Sequence, residues 1–208
     1  MDFACGTGLI SRELAPYAKS IVGVDISPGM VDQYNTRVSN QGIPREEMHA
    51  VCADLQGTAD ELDGGKFDLV VVRPSTQIRA PTSLTPHVST LIGDLSAIQC
   101  ASSYHHFASI NDVTRTLAFF LKPNGVLLVI DLLKSDDAET EDIFPDHPHH
   151  VVAHKGGFKE DDLRTAFQEA GLTAFMFNDA MSVKRGGHDL KLFIAKGTKI
   201  ILAPGQIL

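Results

Sequence analysis

The chain is poor in cysteine: Cys5, Cys52 and Cys100 are the only three among 208 residues, and no two stand in a CxxC pair. An odd number without that spacing gives neither a disulfide framework nor a structural zinc site, and it fits a reducing, cytoplasmic setting. Basic clusters are equally lacking. Eighteen Lys and Arg residues stand against twenty-six Asp and Glu, a formal net charge of −8, and no basic run breaks the balance. Neutralising a nucleic-acid backbone needs such a run, so nucleic acid is excluded as the expected partner. No apolar stretch approaches the roughly eighteen residues of a membrane span, and no basic segment followed by an apolar one marks the start. What remains is a small-molecule protein acting away from the membrane.

What is present is an alternation. Short apolar runs at 2–5, 20–25, 49–53, 67–72 and 125–131 are separated by segments with apolar residues near a 3.6 period at 8–17, 27–41 and 110–121. Buried strands and crossover helices give such a pattern. Pro28 just after Ser27 predicts a helix start there. A further helix is expected over 159–170 with Gly171 behind it, then two closing strands near 172–177 and 190–195. With no repeat and no low-complexity tract, 1–208 reads as one domain of α/β class, large enough for a sizeable core.

The densest signal is DFACGTG at 2–8, where Ala4, Gly6 and Gly8 occupy every second position. Glycines there allow backbone angles closed to other residues and are expected to present N–H groups to a ligand at a strand-to-helix turn. The dinucleotide fingerprint GxGxxG requires a third glycine where this chain has Leu9. DxGxGxG, the loop of class I S-adenosylmethionine (SAM) dependent methyltransferases, fits with Ala4 as its single departure. The chain resembles that family.

Further landmarks follow in the family's order. Asp25 closes the run IVGVD, nineteen positions after Gly6, where an acid at a strand end can accept both ribose hydroxyls. The continuation ISPGM resembles the next helix start, and LKPNG at 121–125 resembles the turn ahead of the fifth strand. The resemblance implies a three-layer α/β sandwich with a doubly wound, mostly parallel seven-strand sheet of Rossmann-like form. It implies SAM as cofactor, held by Asp2, Ala4, Gly6, Gly8, Asp25, Ile26, Met30, Asp54, Leu55, Ser103 and Tyr104. It also implies methyl transfer to a small-molecule acceptor. Two other readings stay open: a catalytically inactive protein of the same fold that serves as a binding module, and an NAD-dependent oxidoreductase. The latter lacks the third glycine and any Tyr-x-x-x-Lys pair.

Histidine is the natural proton acceptor near neutrality, and YHHF at 104–107 supplies the candidates. His105 is the expected base, with His106 beside it. Methyl transfer needs no metal, since the sulfonium already carries its leaving group. A second group, Asp146, His147, His149, His150 and His154, has imidazoles and a carboxylate but no helical i, i+4 pair, so no metal site is expected.

Two features depart from the family pattern. Excising Val72 to Gln99, 28 residues, joins FDLVV to CASSYHHF and restores a continuous fourth strand and pocket loop. Valine and glutamine codons permit intron boundaries at both ends, and the segment has no sustained period, as expected of a loop without its own core. It is read as a retained intron or an unusual insertion within the single domain. The first strand likewise reads as truncated, since Met1 stands where it should already be under way. Weak cofactor binding is the expected consequence. Transcript sequencing across the fourth-strand codons is expected to find a message lacking these 28 codons; a single message retaining all of them, with no genomic intron nearby, would refute the intron reading.

Overall fold

In a computed structural model, residues 1–72, 104–134, 153–185 and 188–200 are described. The 72–99 segment lies, apart from Val72, outside the described residues, as do Ser103 and the histidines at 147, 149 and 150. Seven strands form one sheet: β1 (Asp2–Phe3), β2 (Ile21–Asp25), β3 (Met48–Cys52), β4 (Phe67–Val72), β5 (Leu121–Leu132), β6 (Leu172–Arg185) and β7 (His188–Lys199). Their order is β3-β2-β1-β4-β5-β7-β6. The first five run parallel, and β7 is inserted antiparallel between β5 and β6.

The strands are apolar on both sides because helices cover both faces. Val70, Val72, Leu127 and Val129 face α3 (Ile110–Phe119) and α4 (Glu160–Glu169), joined there by Phe3, Val24, Leu117, Leu163 and Phe167. The alternate residues Val71, Leu128 and Ile130 meet Ile10 of α1 (Leu9–Leu14). On that same side Ile21, Met48 and Ala50 pack on Val31, Tyr34 and Val38 of α2 (Pro28–Asn40). Three layers result, as the sequence predicts.

Boundaries differ where local geometry intervenes. The expected helix over 8–17 divides: α1 ends at Leu14 and a 3₁₀ turn with Pro16 covers 15–17. Pro28 does open α2, but Ser27 caps it without a side-chain bond, its N–H instead donating to Asp25. LKPNG does not precede β5; it lies inside the strand as a bulge. Asn124 takes φ +62° there, and the pairing to β4 jumps from Leu121 to Val126.

β3 is an edge strand, and its outward backbone groups find a substitute partner. The Asn35 amide of α2 donates to the Ala50 carbonyl at 3.0 Å, and its oxygen accepts the Ala50 N–H at 2.8 Å. One side chain thus completes the ladder that a further strand would supply. Asn35→Ala should leave both buried groups of Ala50 without these partners and cost about 1–3 kcal/mol, read as a lower urea midpoint with unchanged m.

Candidate functional site

The site lies at the carboxyl ends of β1, β2 and β3, where open α/β sheets leave their crevice. Its centre is Asp25, the last residue of β2 and 6% exposed. One carboxylate oxygen accepts the Gly6 N–H at 2.9 Å and the other accepts the Ser27 N–H at 2.9 Å. The Asp25 carbonyl also accepts the Ala53 N–H, so loops after β1, β2 and β3 meet at one residue. Each carboxylate oxygen has a second acceptor position. Capacity therefore remains for hydroxyl donors.

Around it a cavity of about 300 Å³ is walled by Ala4, Ile26, Ala53, Leu55, His106 and Phe107, with Asp54 on its exposed rim. That volume is at the lower end of small-ligand pockets. The walls are apolar and two carboxylates supply the polar contacts, a combination suited to a flat heteroaromatic ring joined to a hydroxylated sugar. Ile26, though large and apolar, is 72% exposed beside this opening. Phe107 is fixed by stacking on Phe3, ring centroids 5.7 Å apart.

The glycine loop works differently from its sequence expectation. Gly6 takes φ +51° and Gly8 +81°, as only glycine does readily, but their N–H groups are turned inward: Gly6 donates to Asp25 and Gly8 to the Cys5 carbonyl. Neither residue lines the cavity; both shape the loop that does. Asp2 is likewise a brace, buried and accepting the Ser11 hydroxyl of α1 at 2.6 Å. Met30, on the first turn of α2, is partly exposed and outside the cavity lining.

The YHHF segment also sorts itself. Residues 104–106 form a 3₁₀ turn in which Tyr104 and His105 point inward and His106 reaches the cavity. Tyr104 is fully buried, its hydroxyl 2.8 Å from Thr114 Oγ1. Burial raises its pKa well above the ordinary phenol value, against the Thr114 hydrogen bond, so it is neither wall nor proton acceptor. His105 is also fully buried, with Nδ1 2.8 Å from one oxygen of Asp131 while its N–H donates to the other at 3.1 Å. In place of the expected pocket base the structure gives a His–Asp pair behind the pocket, and His106 in its wall. Asp131 is the residue that the sequence reading missed; it is visible there only as the acid at the end of an apolar strand. Phe3, Val24 and Ala53 were missed too, being ordinary strand-end residues. Among the described residues no group of His, Cys, Asp or Glu could hold a metal ion. No helix among them is long and apolar enough to cross a membrane.

A methyltransferase domain model matches residues 1–86. An uncharacterized methyltransferase of Schizosaccharomyces pombe is 37% identical over 177 residues, 83% of this chain and 52% of that protein. The chain belongs to the class I SAM-dependent methyltransferases. It thus spans about half the length of that relative. The fold agrees with solved structures of low identity. The YcgJ protein of Bacillus subtilis superposes with a TM-score of 0.60 at 16% identity, covering 96% of this chain and 91% of its own. Magnesium protoporphyrin IX methyltransferase from Synechocystis, solved with bound SAM, gives a TM-score of 0.53 at 16% identity, covering 95% and 68%.

Within this family framework Gly8 is the most constrained loop position. A Cβ there would lie 2.5 Å from the buried Tyr34 ring, at a left-handed φ. Gly8→Ala should destabilise the fold by about 2–5 kcal/mol through clash and backbone strain together, measured by thermal or urea unfolding.

Proposed function

We propose that this chain carries the cofactor-binding and catalytic core of a SAM-dependent methyltransferase acting on a small molecule. The observation that supports it most directly is the Asp25 pocket: an acid with spare acceptor positions at the end of β2, beside an apolar slot closed by Leu55 and Phe107. Asp25 would take the ribose hydroxyls. Ile26, Ala53, Leu55 and Phe107 would enclose the adenine, with Asp54 at its polar edge and Ala4 under the sugar. Gly6, Gly8 and Asp2 would act indirectly, by fixing the loop, and Met30 would cover the slot from α2. Ser103 stays on the proposed pocket segment.

SAM supplies an electrophilic methyl group on a sulfonium that leaves without further activation. The chain's own task is then to orient the acceptor, exclude water and receive a proton where the acceptor has one to lose. His106 is placed for the last of these, in the cavity wall with its ring centroid 4.5 Å from that of His105. His105 is assigned a positioning role, since Asp131 fixes its ring and backbone and the turn therefore cannot swing away. The acidic surface and the lack of a basic run support a small acceptor over a nucleic acid.

Calorimetric titration with SAM should show saturable one-to-one binding. Asp25→Asn should weaken it at least about tenfold, because an amide offers one acceptor oxygen where the loop and the ribose require two. His106→Ala should retain SAM binding within a few-fold. Absence of SAM binding by the unmodified chain would refute the proposal.

A further inference from the structure

A second cavity, of about 330 Å³, opens at the carboxyl end of β5, on the far side of the 104–106 turn. Its position follows from how residues 154–158 meet the sheet. Phe158 donates its N–H to the Leu132 carbonyl and accepts the Lys134 N–H, both at 2.9 Å, so this segment pairs alongside the end of β5. Gly157, at φ +75°, is required there, because a Cβ would stand 2.6 Å from the Leu132 oxygen. The turn it closes brings His154 against the site already described: the His154 N–H donates to the His105 carbonyl at 2.9 Å.

The lining of this cavity is polar in a particular way. Lys134, exposed at the rim, takes part in none of the ion pairs among the described residues. His154 borders the cavity too, its Nε2 closed off from solvent and without a hydrogen-bond partner among the described residues. Across from them Asp162, in the first turn of α4, accepts the Lys159 N–H with one carboxylate oxygen. Glu160 pairs with Arg164 and Glu169 accepts from the Asn111 amide, while Lys155, Lys159 and Asp161 lie outside the lining. Ile110 and Phe158 add apolar surface, and Asn111, Gly157 and Thr165 complete the lining. One cation, one anion and an apolar wall balance to zero charge. Simple anions and simple cations are each matched by only half of it.

We propose that this cavity is a second ligand site that takes a small zwitterion of the α-amino acid class. The carboxylate pairs with Lys134, the ammonium with Asp162, and an apolar side chain rests on Ile110 and Phe158. The site is separate from the Asp25 pocket and does not depend on the methyl-transfer reading.

Three probes that share one phenylethyl skeleton separate the charges: L-phenylalanine, 3-phenylpropionate without the ammonium, and phenethylamine without the carboxylate. Each is titrated into the full chain by calorimetry or ligand-observed NMR. Phenylalanine should bind most tightly. Lys134→Met should weaken phenylalanine and 3-phenylpropionate by about tenfold or more while sparing phenethylamine. Asp162→Asn, whose amide oxygen can still accept the Lys159 N–H, should do the reverse. Unfolding midpoints and SAM titration of both variants should match the unmodified chain. Failure of phenylalanine to bind would overturn the proposal, as would binding indifferent to both substitutions. Displacement of phenylalanine by S-adenosylhomocysteine would also overturn it, by assigning the cavity to the cofactor. Phenylalanine binding without any SAM binding would leave this site standing and remove the methyltransferase reading instead.

Discussion

A charged carboxylate with 6% of its surface exposed must be stabilised by the protein, and Asp25 is stabilised by two backbone N–H groups from different loops. Charge-assisted bonds of this kind are about twice as strong as neutral ones, which offsets the desolvation of the ion. In return the loop after β1 and the turn into α2 are held at one relative position. The Ala53 N–H, bound to the carbonyl of the same residue, adds the loop after β3. The pocket walls contributed by Ala4, Ile26 and Leu55 are therefore not independent. Each is placed by a backbone tied to Asp25.

The same device recurs at the end of β5. Asp131, fully buried, accepts from the His105 N–H, lies 2.8 Å from His105 Nδ1 and accepts its neighbour Leu132 N–H at 2.6 Å. It secures the 104–106 turn as Asp25 secures the glycine loop. Two strand-end acids thus fix the opposite walls of one pocket.

Most of the architecture was legible because strands covered on both faces must be apolar throughout. FDLVVV was placed over 67–72 and is β4 at those residues. β5 was not placed as well, since its bulge carries Pro123, Asn124 and Gly125, residues that ordinarily end a strand. Among site residues, Asp25, Ile26, Asp54 and Leu55 were readable because strand ends in a parallel sheet point into the crevice. The histidines were not. In a 3₁₀ turn consecutive side chains diverge by about 120°, so one step separates the buried His105 from the pocket-facing His106. Nor does any local signal join His105 to Asp131, twenty-six residues away across the end of the sheet.

Ala4 shows what this fixed scaffold demands of a residue. Its φ of +58° is a left-handed conformation that costs an alanine about 1 kcal/mol or more relative to glycine. It persists because both neighbours are bound: the Cys5 N–H to the Val24 carbonyl at 3.0 Å, and the Gly6 N–H to Asp25. Ala4 itself is part of the cavity lining. The Gly6 and Gly8 N–H donors are likewise spent inside the loop, on Asp25 and on the Cys5 carbonyl. The loop is thus held in its shape by the folded chain's own hydrogen bonds. Ordering costs that a floppy glycine loop would incur on binding are here already met in folding.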